Sequence, residues 1–187
     1  MNLLFKIKKK IRALYLSRIY KTSFISLGRN LKIYGKKNIL FQGKISIGDN
    51  CWIETIQKYR EFNYKPKMII GNEVMMSDGV HLSCVKKIVI GSQTLIGSNV
   101  YIGDHSHGSS QLDKIDLSVP PYQRELGDIS DIYIGERVWI CNGAVILAGT
   151  YISDGCIVGA NAVVKGEFKR PCVIAGIPAK NVKNLYL

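Results

Sequence analysis

The chain is poor in histidine: its 187 residues hold three, His81, His105 and His107. Its five cysteines (Cys51, Cys84, Cys141, Cys156, Cys172) are odd in number and lack CxxC spacing. That excludes the common structural zinc motifs and argues against a disulfide framework, so they read as small buried side chains in a reducing compartment. No apolar run approaches the roughly 20 residues that a membrane-spanning helix needs. Acidic residues are missing from one end: residues 1–48 carry twelve Lys/Arg and no Asp or Glu. The remainder carries fourteen bases and fourteen acids, so the formal net charge of +12 sits wholly at that end. A balanced body offers no groove for a polyanion, and no nucleic-acid partner is expected.

What the chain does have is a period. From Ile90 it reads IGSQTL, IGSNVY, IGDHSH, loses the pattern for some thirty residues, and resumes at Ile134 with IGERVW, ICNGAV, ILAGTY, ISDGCI, VGANAV. A short fixed period means one structural unit stacked on copies of itself. In each unit the first position is aliphatic. The fifth is small or β-branched: Val74, Val80, Thr94, Val100, Val138, Ala144, Thr150, Cys156, Ala162. Strand side chains alternate, so positions five and one point inward and position six between them points out. Three units close a triangular coil of eighteen residues, stacking Ile134 on Ile152 and Ile140 on Val158, and the fold class expected is all-β, a parallel β-helix. Earlier units are traced as Ile33, Ile39 and Ile45, restarting two residues on at Ile47 and Ile53, then Ile70, Met76 and Leu82, with a second slip of two before Ile90.

Residues 1–20 read as a basic amphipathic helix with Leu3, Leu4, Ile7, Ile11 and Leu14 on one face. Lysines interrupt its apolar region and no small-residue cleavage site follows, a poor match to a signal peptide. Either that face packs on the coil or another subunit, or it lies on an anionic membrane surface. The organisation expected is a helix and linker over 1–30, a coil over 31–183 with insertions at 57–67 and 104–131, and a tail over 184–187.

The segments VYIGDHSHG (100–108), IGERVWICNGAVILAGTYI (134–152), VGANAVV (158–164) and IAGIPAKNV (174–182) resemble the hexapeptide-repeat acyltransferases. The likeness is to the branch holding maltose and galactoside acetyltransferases and sugar O-acetyltransferases of surface-polysaccharide pathways. It implies a left-handed coil, a homotrimer with active sites at subunit interfaces, acetyl-CoA as cosubstrate, no metal, and a glycan or lipid-linked sugar hydroxyl as acceptor. The place implied is the cytoplasm, with peripheral contact at the inner face of the membrane through residues 1–20.

By that resemblance His107, an outward sixth position at the break of the repeat, is the general base, with His105 in support and Asp104 orienting either imidazole or touching substrate. Ser77 falls at an acceptor-binding position, and Tyr122 and Arg124 in the excursion 108–131 contact the sugar. Trp139, Asn142, Ala160, Lys165, Lys180 and Lys183 match positions contacting coenzyme A. Lys165 is displaced by one, because Lys165-Gly166-Glu167 stands where relatives have Thr-Lys-Asp. The alternatives are N-acetylation of an amino sugar or antibiotic, a γ-carbonic-anhydrase-like zinc enzyme using His81, His105 and His107, and a scaffold without catalysis.

Overall fold

The computed structural model describes residues 3–20, 22–110 and 117–185. Twenty of the strands lie in three sheets that wrap one axis, parallel throughout except for the final antiparallel strand of the first sheet. Each sheet is one face of a triangular β-helix, and each carries one apolar stack inward. The first face stacks Ile47, Met76, Ile96, Ile140, Val158 and Ile174. The second stacks Ile33, Ile53, Leu82, Ile102, Ile146 and Val164. The third stacks Phe41, Ile70, Ile90, Ile134, Ile152 and Phe168. The fifth-position residues are all buried between these rows. Truncating one of the fully buried isoleucines to alanine costs on the order of 2–5 kcal/mol, since a stacked core cannot collapse freely around the hole.

Upper coils advance eighteen residues, as Ile134 over Ile152 and Ile140 over Val158 show. Lower coils advance twenty: Ile33 over Ile53, Ile70 over Ile90, Leu82 over Ile102. The extra pair sits at the corner between the second and third faces, where strands such as Lys67–Ile70 and Lys87–Ile90 bury two side chains each. One traced register is therefore corrected. Ile45 pairs with Val74, a fifth position, so the frame runs Ile33, Phe41, Ile47 and the slip precedes Phe41.

The coil also begins before residue 31. Ser23–Leu27 already pairs with Lys44–Ile47 in the first face. The helix Leu3–Tyr20 closes this end. Ala13, Leu16 and Tyr20 pack on the core, and Tyr20 meets Phe24 and Phe41 edge-on at 6.1 and 5.1 Å. Arg12 fastens it by donating to the carbonyls of Leu31 at 2.7 Å and Gly28 at 3.3 Å. The expected apolar face is not the packed one: Ile7, Ile11 and Leu14 are 48%, 61% and 65% exposed. Positions 13, 16 and 20 lie on the opposite side of the helix from 7, 11 and 14. The side chains of Leu3 and Leu4 lie outside the described residues. At the other end the hairpin Cys172–Gly176 and Ala179–Asn184 finishes the first face.

Candidate active site

The second face carries an outward row one residue before its inward stack: Lys32, Trp52, His81, Tyr101, Val145, Val163. Parallel register puts these side chains above one another. His81 stacks on Trp52 with centroids 4.5 Å apart and meets Tyr101 edge-on at 5.3 Å. Lys32 Nζ lies over the Trp52 ring at 5.2 Å. Gly103 lets Tyr101 fold back across the strand, since a Cβ there would strike its phenol oxygen. Beside this row Glu54 and Ser83 are paired, and Ser83 Oγ donates to Glu54 Oε1 at 2.9 Å.

Two insertions roof this wall. The hairpin Lys58–Tyr59/Phe62–Asn63 leaves the coil, as does an arm whose base pairs Ser106–His107 with Leu126–Gly127. They clasp each other: Tyr59 Oη and Arg60 Nε both donate to the Tyr122 carbonyl at 2.8 Å, and Leu126 N–H donates to Tyr64 Oη at 3.2 Å. Beneath lies a cleft of about 630 Å³, within the range of small-molecule sites. Its lining includes Trp52, Glu54, Tyr59, His81, Ser83, Tyr101, His105 and His107.

Asp104 lies at the corner where the chain departs for the arm. The departing strand leaves the backbone N–H groups of the coil below without a strand partner, and the Asp104 carboxylate takes their place. It accepts from the N–H groups of Val85, Lys86 and Lys87, each at 2.8 Å, and is completely buried. Its Oδ1 also lies 3.0 Å from His105 Nδ1. Burial pushes its pKa up, but the His105 bond and the Val85, Lys86 and Cys84 donors outweigh this, and the net direction is down. An ionised carboxylate only accepts, so Nδ1 of His105 carries a proton, and in the neutral imidazole Nε2 holds the free lone pair. The Cys84 thiol is pushed up by burial and by the adjacent Asp104 charge, which leaves it inert.

His107 is placed differently. It is exposed and touches the Tyr59 ring edge-on at 5.4 Å. Among the described residues no carboxylate meets it. His81 Nε2 lies 3.3 Å from Glu54 Oε1. Thus all three histidines line one cleft, but each is held by a different partner, and among the described residues no group of three metal-ligating side chains is placed to hold an ion.

The other expected site residues are placed as follows. Asp104 cannot contact substrate, because it is enclosed and its oxygens are taken. Tyr122 and Arg124 do not line the cleft: Tyr122 lends its carbonyl to the clasp, and Arg124 Nε donates to the Val119 carbonyl at 2.8 Å. Residues 111–116 of the excursion lie outside the described residues. Ser77 sits at the corner after the first face, outside the cleft, where its carbonyl accepts from Cys51 Sγ at 3.1 Å. Trp139 is outward as expected, 48% exposed, but on the first face between Leu95 and Ile157. Asn142 holds a corner, its Oδ1 accepting from Ser98 N–H at 3.0 Å. Ala160, Lys165, Lys180 and Lys183 are exposed. Sequence reasoning missed Trp52, Glu54, Tyr59, Ser83 and Tyr101. For Trp52 and Tyr101 the signal was there, since each immediately precedes an inward residue of the stack that His81 also precedes.

The class of this β-helix protein, a transferase, follows from its relatives. The family described as Bacterial transferase hexapeptide (six repeats) matches residues 131–166. The Escherichia coli (strain K12) protein WbbJ, named for O-acetyl transfer in lipopolysaccharide biosynthesis, is 37% identical over 143 residues, 75% of this chain and 72% of its own. The galactoside O-acetyltransferase of the same organism is 26% identical over 75% of this chain and 64% of its own. Among solved structures, a variant of AntD, a Bacillus cereus N-acyltransferase, superposes with a TM-score of 0.70 at 18% identity, over 93% of this chain and 89% of that one. The chain belongs to the hexapeptide-repeat transferase family, and its fold is the left-handed parallel β-helix. Members of that family generally form trimers and bind acetyl-CoA.

Proposed function

We propose that the protein transfers acetyl from acetyl-CoA to a sugar hydroxyl in surface-polysaccharide synthesis, and that His105 rather than His107 is the general base. The likeness to WbbJ supports the reaction. The observation that carries the base is the Asp104–His105 pair at 3.0 Å. A sugar hydroxyl ionises far above neutral pH, so a base must take its proton as the oxygen attacks the thioester carbonyl. His105 Nε2 receives that proton while the C–O bond forms. Collapse of the adduct breaks the C–S bond, and the same proton goes to the departing thiolate. Asp104 steadies the imidazolium between these events and fixes the tautomer that makes Nε2 the acceptor. Acetyl-CoA, when bound, supplies the activated acyl group. The exposed lysines Lys165, Lys180 and Lys183 fit its phosphates, and the apolar ridge of Met75, Leu95 and Trp139 fits its pantetheine arm.

The first-face ridge and the second-face cleft lie on different sides of one coil. A homotrimer with each site between neighbours brings such faces together, and that is the assembly proposed. The test of the reaction is acetyl-CoA-dependent labelling of surface glycan by purified protein. An acetyl group released by mild alkali is the ester expected; an alkali-stable acetyl would mean an amide, and no transfer to any glycan would reject the reaction.

The N-terminal helix supports contact with an anionic membrane. One side grips the coil through Arg12, Ala13, Leu16 and Tyr20, while Ile7, Ile11, Leu14 and Tyr15 face outward on the basic end of the molecule. No helix of the described residues is long and apolar enough to cross a membrane, so the contact is peripheral. Each base near an anionic surface contributes on the order of 1 kcal/mol. The full chain is expected to sediment with phosphatidylglycerol vesicles and Ile11→Glu to lose most of that binding. Equal recovery with zwitterionic vesicles would reject the contact.

A further inference from the structure

We infer that the second-face wall beside His105 is the acceptor subsite of this reaction, and that Glu54 makes it selective for uncharged sugars over anionic ones. This rests on the reaction proposed above. Glu54 enters the cleft from the strand Trp52–Thr55. Its Oε1 takes both local donors, Ser83 Oγ at 2.9 Å and His81 Nε2 at 3.3 Å. Among the described residues Oε2 has no partner, and the side chain keeps 18% of its surface exposed. One carboxylate oxygen is therefore pinned and the other is left to accept from a ligand.

The charge of the wall points to the ligand's class. No Lys or Arg is among the described residues lining the cleft. The bases at its margin are engaged: Lys32 lies over Trp52, and Arg60 donates to the Tyr122 carbonyl while its guanidinium covers the Tyr122 ring at 5.6 Å. Burial works to raise the Glu54 pKa, but the bonds from His81 and Ser83 and the nearby His105 bring it below the usual carboxylate value. Glu54 is thus a negative charge at neutral pH. A uronate or a phosphorylated sugar would bring a second anion beside it, with no lysine or arginine among the lining residues to pair with it, in a site partly shielded from water. A neutral sugar brings hydroxyl donors that Oε2 can accept.

The rings in the wall support recognition by hydrogen bonds. His81 stacks on Trp52 and Lys32 lies over the same ring, so Trp52 offers the cleft its edge rather than a stacking platform. A site built to accept a hydroxyl rejects ligands that lack it far more strongly than an apolar pocket rejects a change of shape.

The experiment uses the full-length protein with acetyl-CoA and a competing mixture of methyl hexopyranosides and the matching methyl uronates, read by mass spectrometry. Wild type is expected to favour the uncharged member by at least about tenfold in kcat/KM. Glu54→Gln is expected to raise the acceptor KM, to leave the acetyl-CoA KM unchanged, and to shrink the neutral-to-anionic ratio several-fold. The ratio cancels any effect of the substitution on the shared base, so a merely structural role would not move it. A wild-type preference for uronates, or a ratio unchanged in Glu54→Gln, would overturn the assignment of Glu54 alone. Folded wild type that acetylates neither class would instead remove the reaction on which it rests.

Discussion

The upper and lower coils are built from the same unit but do different work. Above Ile134 the coil advances eighteen residues per turn, and the second face shows only Val145 and Val163 outward. Below it the advance is twenty, or twenty-nine in the coil that carries the hairpin insertion, and the same face shows Trp52, His81 and Tyr101. The difference begins at one corner. In the lower coils two extra residues widen the turn from the second to the third face. Where the arm departs, that turn needs a partner for the N–H groups of Val85, Lys86 and Lys87, which Asp104 supplies. The position two residues past the inward isoleucine is Asp104 in the lower region and Ala148 in the upper. A shift in repeat length thus leaves room for a buried charge, and the buried charge orients an imidazole.

Substitutions matched between the regions would break this comparison if it is wrong. The largest contrast concerns turnover. His105→Ala is expected to lower kcat by about 10²–10⁴, the usual worth of a general base, with the melting temperature little changed. Val145→Ala, outward on the same face one coil up, is expected to change kcat less than about twofold, as a side chain remote from the reacting groups.

Next comes stability. Asp104→Asn replaces one acceptor oxygen by a donor facing backbone donors, and is expected to cost about 3 kcal/mol or more in denaturant unfolding. Ala148→Ser, the counterpart above, is expected to stay within about 0.5 kcal/mol. The pH dependence has a defined sign. Asp104 is depressed in the folded protein, so its contribution is present above the unfolded carboxylate value near pH 3.9 and is lost as pH falls below that toward the folded value. Wild type should therefore lose stability through that window more steeply than Asp104→Asn. Parallel acid limbs would mean that Asp104 is not the charge described.

The inward rows were legible from the sequence because stacking enforces them: a residue at position one or five meets its copy in the next coil or leaves a hole. Val74, Thr94, Ala144 and Cys156 are all buried as the period requires. Asp104 was not legible. It follows an isoleucine–glycine pair as Asp49 does, and whether such an acid faces water or backbone depends on where the chain goes afterwards. Glu54 was hidden for a related reason, since its partners Ser83 and His81 come from the next coil, twenty-nine and twenty-seven residues on. The helix misled because its strongest apolar stripe is not the buried one. The coil end is a small patch that Ala13, Leu16 and Tyr20 already fill.

The central claim is that the carboxylate-held imidazole, not its exposed neighbour, takes the proton. The most direct test is kcat for His105→Ala and His107→Ala, measured together at saturating acetyl-CoA on variants shown to be folded. The account predicts that His107→Ala retains turnover within about tenfold of wild type while His105→Ala loses about 10²–10⁴. The reverse order, with His105→Ala near wild type and His107→Ala inactive, would contradict it.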